Sequence, residues 1–294
     1  TGVQTCALPI SPETVLARNQ RNQMSSDHKS ESGAAVRCSD LLAVSFGGGT
    51  NSTAMLCGFR ERGIKPDLII FADTGAEMPH TYEHVKEMRT MVGCWWGMDI
   101  MCVRAKRTIV EHSDKISMLP SLAYGRRSCS QKFKHEPMEK YVKWWAKERG
   151  ISRLVKCIGY HADEGYRVNG KPLEKQLCKG VTERYWYPLV EWQWRQEECV
   201  AAICRHGIKQ PGKSACFFCP ASKRSEVVAL KQHYPHLLNK ALEIEANAQK
   251  RHRTKIGLGG GNNLWSEWLA MDEAQIKMTL DIEPHEIPCG CIDG

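Results

Sequence analysis

Short, almost wholly apolar runs alternate along this chain with longer stretches of helical period. Leu41–Phe46 is such a run and ends in three glycines. Ser52–Glu61 then reads as a helix. Asp67–Gly75 is a second buried strand, apolar until Asp73. Pro79 opens the next helix, Thr81–Met91, as proline at a first helical position does. Asp99–Ala105 is a third strand, Glu136–Gly150 a helix with glycine as its stop signal, and Leu154–Tyr160 a fourth strand. Unbroken apolar strands alternating with helices predict an α/β fold with a doubly wound, mostly parallel sheet. Ligands of such sheets sit beyond the carboxyl ends of the strands. Three of the four strands end suggestively: in the triple glycine, in Asp73, and in "YHADEGYR".

After Tyr187 the pattern changes. A short extended piece leads to a helix within "YPLVEWQWRQEECVAAICRHG", and Cys216 and Cys219 stand just before another helix. Helices over about Pro235–Lys255 and Leu264–Leu280 flank "GLGGGNN", which reads as a linker because no buried strand feeds it. The expected division is a lead over 1–37, a nucleotide-binding α/β domain over 38–190, and a helical, cysteine-bearing module over 191–294. "TGVQTCALPI" resembles the translation of a short-read sequencing adapter, so Thr1–Ile10 are left out of the functional reading, with Met24 as a candidate start. The polar stretch from 11 to about 37 is expected to be disordered.

Composition narrows the classes. The chain has 294 residues, 42% hydrophobic and 25% charged, as in a globular protein. No apolar run is long enough to predict a membrane span. The net charge of +8 suits anionic partners, nucleotides or nucleic acid, without defining a site. Fourteen cysteines, irregularly spaced and without a signal peptide, point to a reducing, cytoplasmic setting with structural thiols and one metal or redox set.

The stretch "VSFGGGTNSTAML" carries the first chemistry. A strand that runs through glycines into a helix brings backbone N–H groups to one point, where phosphate oxygens can approach. Ser45, Thr50, Ser52 and Thr53 add hydroxyls. The spacing fits neither the dinucleotide fingerprint nor the Walker loop, and a plain strand-to-helix turn is the competing reading. Asp73 and Glu77 could meet ribose hydroxyls or a metal on the phosphates, or be loop and cap carboxylates. Arg126, Arg127, Lys132 and Lys134 form a basic cluster, of which Arg127 and Lys132 are the stronger anion-binding candidates. Asp163, Glu164 and Arg167 could bind adenosine or form a surface ion pair.

These stretches resemble, in order, the motifs of the phosphoadenosine phosphosulfate (PAPS) reductase-like family of the adenine-nucleotide α-hydrolase superfamily. "GGGTNS" is similar to its pyrophosphate loop, with Gly47 in place of a serine and Asn51 in place of an aspartate. "FADTGAEMPHTYEHV", "RRSCSQKFKHEP", "IGYHADEGYR", "YPLVEW" and the Cys-x-x-Cys-Pro follow in family order. The resemblance implies an adenine-nucleotide site built from Ser45, Gly47, Gly48, Gly49, Asn51, Ser52, Asp73, Glu77, Asp163, Glu164 and Arg167. It also implies Cys129 as a cluster ligand beside Cys216 and Cys219, with Cys291 or Cys289 from the tail completing a set for 4Fe–4S or zinc. Metal-free structural or redox thiols are the alternative.

The expected activity is thiol-dependent reduction of an adenylyl sulfonucleotide to sulfite. The resemblance makes Cys289 the nucleophile, Lys132 and Arg127 the partners of the anion, and a thioredoxin-like thiol the donor. Two alternatives stand. One is an ATP pyrophosphatase, using magnesium, that adenylates a substrate for sulfur insertion into nucleic acid; the third glycine favours it. The other is a non-catalytic nucleotide- or nucleic-acid-binding protein.

Overall fold

The computed structural model describes residues 41–270, apart from 127, 171 and 252–254. Six strands form one sheet in the order β3-β2-β1-β4-β6-β5. They are β1 (Leu41–Ser45), β2 (Leu68–Ala72), β3 (Ile100–Val103), β4 (Arg153–Ile158), β5 (Glu174–Cys178) and β6 (Val181–Trp186). All neighbours run parallel except β5, which pairs antiparallel with β6. The chain moves outward from β1 through β2 to β3, then returns to the other side of β1 for β4. The switch point therefore lies between β1 and β4, where an open α/β sheet leaves a crevice at its carboxyl edge.

The apolar continuity of the strands is explained by cover on both faces. Every residue of β2 is buried. Helix α1 (Thr50–Glu61) shows why its sequence lacks a polar face: nine of its twelve residues are buried, with α6 (Gln196–Arg205) packed along it. A helix apolar all round is a helix enclosed on all sides. Helix α2 (Pro79–Trp96) begins at the predicted proline and ends at Gly97 in the left-handed conformation. On the opposite face, α4 (Glu136–Glu148) lays Met138, Val142 and Trp145 against Ala43, Ala72 and Leu154 of the sheet.

Helix α3 (Ile109–Ile116) was not expected, although its signature is present. Thr108 and Glu111 form a capping box, with Glu111 N–H donating to Thr108 Oγ1 at 3.1 Å and Thr108 N–H to Glu111 Oε2 at 2.8 Å. The β5–β6 hairpin lacks an apolar run for a different reason: "EKQLC" is an edge strand with exposed Glu174 and Gln176, and "VTERYW" places the polar Glu183 at a buried position.

The C-terminal part holds α5 (Pro188–Glu191), α6, α7 (Arg224–His233), α8 (Pro235–Arg251) and α9 (Trp265–Ala270). "GLGGGNN" is tied into this core. The buried carboxylate of Glu245 on α8 accepts from Leu258 N–H (2.8 Å), Trp265 N–H (2.9 Å), Ser266 N–H (3.1 Å) and Ser266 Oγ–H (3.1 Å). Leu258 and Trp265 are fully buried beside it. One carboxylate thus closes the loop and caps the last described helix. Among the described residues no helix is long and apolar enough to cross a membrane.

Candidate functional site

The triple glycine is the turn between β1 and α1. Gly48 has φ +75°, and a Cβ there would stand 3.1 Å from Thr81 Cγ2, so only glycine fits without strain. Gly49 occupies the cap position of α1, with no side-chain cap and no acidic residue in the first turn. The first N–H groups of the helix are therefore left for an external acceptor. Gly159, at the end of β4, approaches the same turn so closely that a Cβ would lie 3.0 Å from Asn51 O.

Three contacts hold the turn. Thr53 Oγ1–H donates to Gly49 O at 2.9 Å. The Thr53 oxygen then accepts from His84 Nε2–H at 2.8 Å, which sets the imidazole tautomer. Burial pushes the His84 pKa down to about 4, with nearby His80 adding to the effect, so this imidazole is neutral. From the C-terminal part, Ser214 Oγ–H donates to Gly47 O. Ser214 thereby ties the C-terminal part to the backbone of the glycine turn.

Asn51 has a local explanation. Its amide donates to Glu164 Oε2 at 2.9 Å, and Glu164 Oε1 accepts from Arg167 at 2.7 Å. The Arg167 guanidinium lies 4.0 Å above the Tyr160 ring. An aspartate at 51 would face Glu164 with like charge. Glu164 and Arg167 thus brace the helix end, and Asp163 stands outside it, 3.6 Å from both His161 and Arg195.

Asp73 and Glu77 are both engaged by protein groups. Asp73 accepts from Arg104, from Tyr82 Oη at 2.7 Å and from Gly75 N–H at 2.7 Å. Burial pushes its pKa up, but these hydrogen bonds outweigh burial and hold the carboxyl below its usual range. Glu77, wholly buried at its side chain, pairs with Lys134 at 3.2 Å and accepts from Thr74 Oγ1 at 2.9 Å. Neither carboxylate faces the cavity described next, so no described carboxylate there is placed for a magnesium ion.

That cavity, about 390 Å³, lies at the switch point. Ser45, Gly47 and Ser52 line it from the glycine turn, and Ile158 and Gly159 from β4. Cys129, Cys216 and Cys219 also line it. The thiol pair arrives because residues 215–217 add to residues 76–78 as an antiparallel bridge, with Phe217 N–H to Ala76 O at 2.8 Å and Met78 N–H to Ala215 O at 3.2 Å. Thr74 Oγ1 lies 3.4 Å from Cys216 Sγ. Burial pushes the Cys216 thiol pKa up, with Glu77 adding to it and Lys134 opposing. Three thiols thus converge on one cavity, yet among the described residues no three Cys, His, Asp or Glu side chains stand close enough to hold one metal ion.

The basic side chains of the cavity wall are Lys134, His135 and Lys156, and among the described residues no Asp or Glu lines it. Lys132 is exposed instead, 3.2 Å from His112 Nε2. A π-helical turn over Gln131–His135 re-aims these side chains, a local geometry that residue spacing does not disclose. Arg127, Cys289 and Cys291 lie outside the described residues. Lys156, His135 and Ser214 were not anticipated; the signal for Lys156 was a charged residue inside the apolar run "LVKCIGY".

The model of the family described as "Phosphoadenosine phosphosulfate reductase domain" matches residues 41–209, more than half of the chain. An uncharacterized protein of Methanocaldococcus jannaschii is 22% identical over 211 residues, which are 69% of this chain and 47% of that protein. The chain thus spans about half the length of that relative. Among solved structures, a PAPS reductase from Candida auris in complex with phosphate is 19% identical with a TM-score of 0.40, covering 70% of this chain and 91% of that one. A U34-tRNA thiolase from Methanococcus maripaludis with its [4Fe-4S] cluster is 16% identical with a TM-score of 0.38, covering 83% of this chain and 82% of that one. With the family's domain spanning the sheet, the glycine turn and the cavity residues of β1, β2 and β4, this chain belongs to the phosphoadenosine phosphosulfate reductase domain family.

Proposed function

We propose that this chain is an adenine-nucleotide-dependent enzyme of sulfur chemistry that reduces an adenylyl sulfonucleotide. The observation that carries the reading is the cavity itself: an uncapped helix end, three basic side chains and three thiols meet there, and no described carboxylate lines it. The lysines of the wall favour an anion, with Lys134 sharing its charge with the buried Glu77. In this reading the phosphates rest on the N–H groups of α1, with Ser45 and Ser52 beside them. Lys134 and His135 stabilise the negative charge that builds on the leaving phosphate. A cysteine thiolate attacks the sulfonate sulfur; an S–S bond forms as the bond from sulfur to the phosphate oxygen breaks. A second thiol, from a thioredoxin-like donor, then takes the enzyme sulfur into a disulfide and releases sulfite. The sequence resemblance assigns the attack to Cys289.

A second reading draws on the three thiols of the cavity wall. Their failure to close on a single ion disfavours one zinc, whose four ligands each lie about 2.3 Å from the metal. The thiolates of a 4Fe–4S cluster ligate separate irons and stand farther apart. Cys129, Cys216 and Cys219 are the residues that would hold it, and the cluster would supply a site with affinity for sulfur. The glycine turn would then hold the pyrophosphate of ATP, and the acceptor would be an adenylated nucleic-acid base.

Two assays separate the readings. Sulfite release from PAPS or adenosine 5′-phosphosulfate with a dithiol, using anaerobically prepared protein, supports reduction. Acceptor-dependent pyrophosphate release from ATP, without sulfite release, replaces it with sulfur insertion. Nucleotide binding without either turnover would leave only a binding protein and overturn both.

A further inference from the structure

Lys156 occupies the middle of β4, where a strand between two parallel neighbours ordinarily holds an apolar residue. Its register partners are Ala43 of β1 and Tyr185 of β6. Leu154, Val155 and Cys157 around it are fully buried. Burial pushes the Lys156 pKa down; Glu183 opposes this, Lys175 adds to it, and Glu139 opposes it more weakly.

An ion pair with Glu183 would be the ordinary structural reason for a lysine here. That place is filled by Lys175, whose ammonium lies 3.4 Å from both Glu183 and Glu139. Glu183 is the charge that favours the Lys156 ammonium most, yet no hydrogen bond or close ion pair of Lys156 stands among the described residues. What its side chain does face is the cavity, which it lines with Ser45, Met138 and Ile158. Its half-buried side chain brings an ammonium with three donors to that wall, where an anionic acceptor would meet them.

We propose that Lys156 is a ligand-binding residue whose ammonium pairs with the phosphate or phosphosulfate chain of the bound nucleotide, approaching it from the β4 side of the cavity. This rests on the nucleotide reading above and deepens it. Lys156 then selects for the charge of the ligand rather than for its base.

The test is calorimetric titration of the full chain with ATP, adenosine 5′-phosphosulfate and adenosine, for the unaltered protein, Lys156→Met and Gly48→Val, together with thermal unfolding without ligand. Lys156→Met is expected to weaken binding of the charged nucleotide by at least about tenfold while changing adenosine binding less than about twofold. The ligand-free variant is expected to unfold at the same or a higher temperature. Unchanged binding of the charged nucleotide overturns the inference, as does an equal loss of adenosine. A variant that unfolds earlier or fails to fold shows the lysine to be structural and also overturns it. Lys156→Gln, of similar length without the charge, carries the same expectations. If the unaltered chain binds neither charged nucleotide, the nucleotide reading falls and this inference with it. If Gly48→Val loses binding and Lys156→Met keeps it, this inference alone falls.

Discussion

His84 couples the glycine turn to acid stability. The folded protein holds its imidazole neutral with a pKa of about 4, against 6.5 for the free side chain. In the unfolded chain the same group takes up a proton near pH 6.5. Between these values the unfolded state binds the proton that the folded state refuses, so acid favours unfolding. The contribution is whole above pH 6.5 and is lost as the pH falls toward about 4. At 1.36 kcal/mol per tenfold difference in proton affinity, the difference amounts to roughly 3 kcal/mol. That is a large part of the ~5–15 kcal/mol by which domains are stable. The perturbation is His84→Gln, whose amide can still donate to Thr53 but does not titrate. Urea unfolding at pH 7.5, 6, 5 and 4 should show the unaltered protein losing roughly 3 kcal/mol more than the variant across the range. The other titrating groups are common to both proteins and cancel. Parallel stability curves would refute the reasoning, because they would mean that His84 accepts its proton equally well in both states.

Three further outcomes follow from single contacts. Gly48→Ala forces a side chain into the left-handed region and against Thr81; it should cost roughly 1–2 kcal/mol by denaturant unfolding and weaken nucleotide binding in titration. Asn51→Asp sets a carboxylate against Glu164, whose Oε2 now accepts from the Asn51 amide at 2.9 Å. Weakened ATP or adenosine 5′-phosphosulfate binding is expected, with recovery in the double variant Asn51→Asp, Glu164→Gln, measured as a double-mutant cycle. Glu245→Ala leaves three backbone N–H groups of the 257–266 segment without their acceptor; a loss of about 3–5 kcal/mol is expected by equilibrium unfolding, with rapid amide exchange confined to that segment.

Much of the fold could be read from residue order because its causes are local or periodic. The central parallel strands β1, β2 and β4 announce themselves as apolar runs, since the middle of the sheet is covered on both faces. The glycine turn could be recognised because a backbone that bends this sharply into a helix needs residues without Cβ, and Gly48 at φ +75° shows the need. The β5–β6 hairpin could not, because β5 is a polar edge strand and β6 holds Glu183 at a buried position where an apolar residue would have marked it. The capping box of α3, Thr108 with Glu111, is a local signature carried by the sequence itself.

The site divides along the same line. Sequence alone marked the strand ends, the turn and the cysteines as chemistry-bearing, and it placed them at one edge of the sheet through the order of strands and helices. It could not choose among equivalent side chains. The tertiary structure turned Lys134 rather than Lys132 toward the cavity, by a π-helical turn. It occupied Asp73 with Arg104 and Glu77 with Lys134, leaving no described carboxylate on the cavity wall. It also brought Ser214, Cys216 and Cys219 from far along the chain to the glycine turn, through a short antiparallel bridge to residues 76–78. Residue type and spacing encode what a side chain can do. Which group it meets, and whether any partner remains for a ligand, is decided by contacts between segments more than a hundred residues apart, and no local pattern records those.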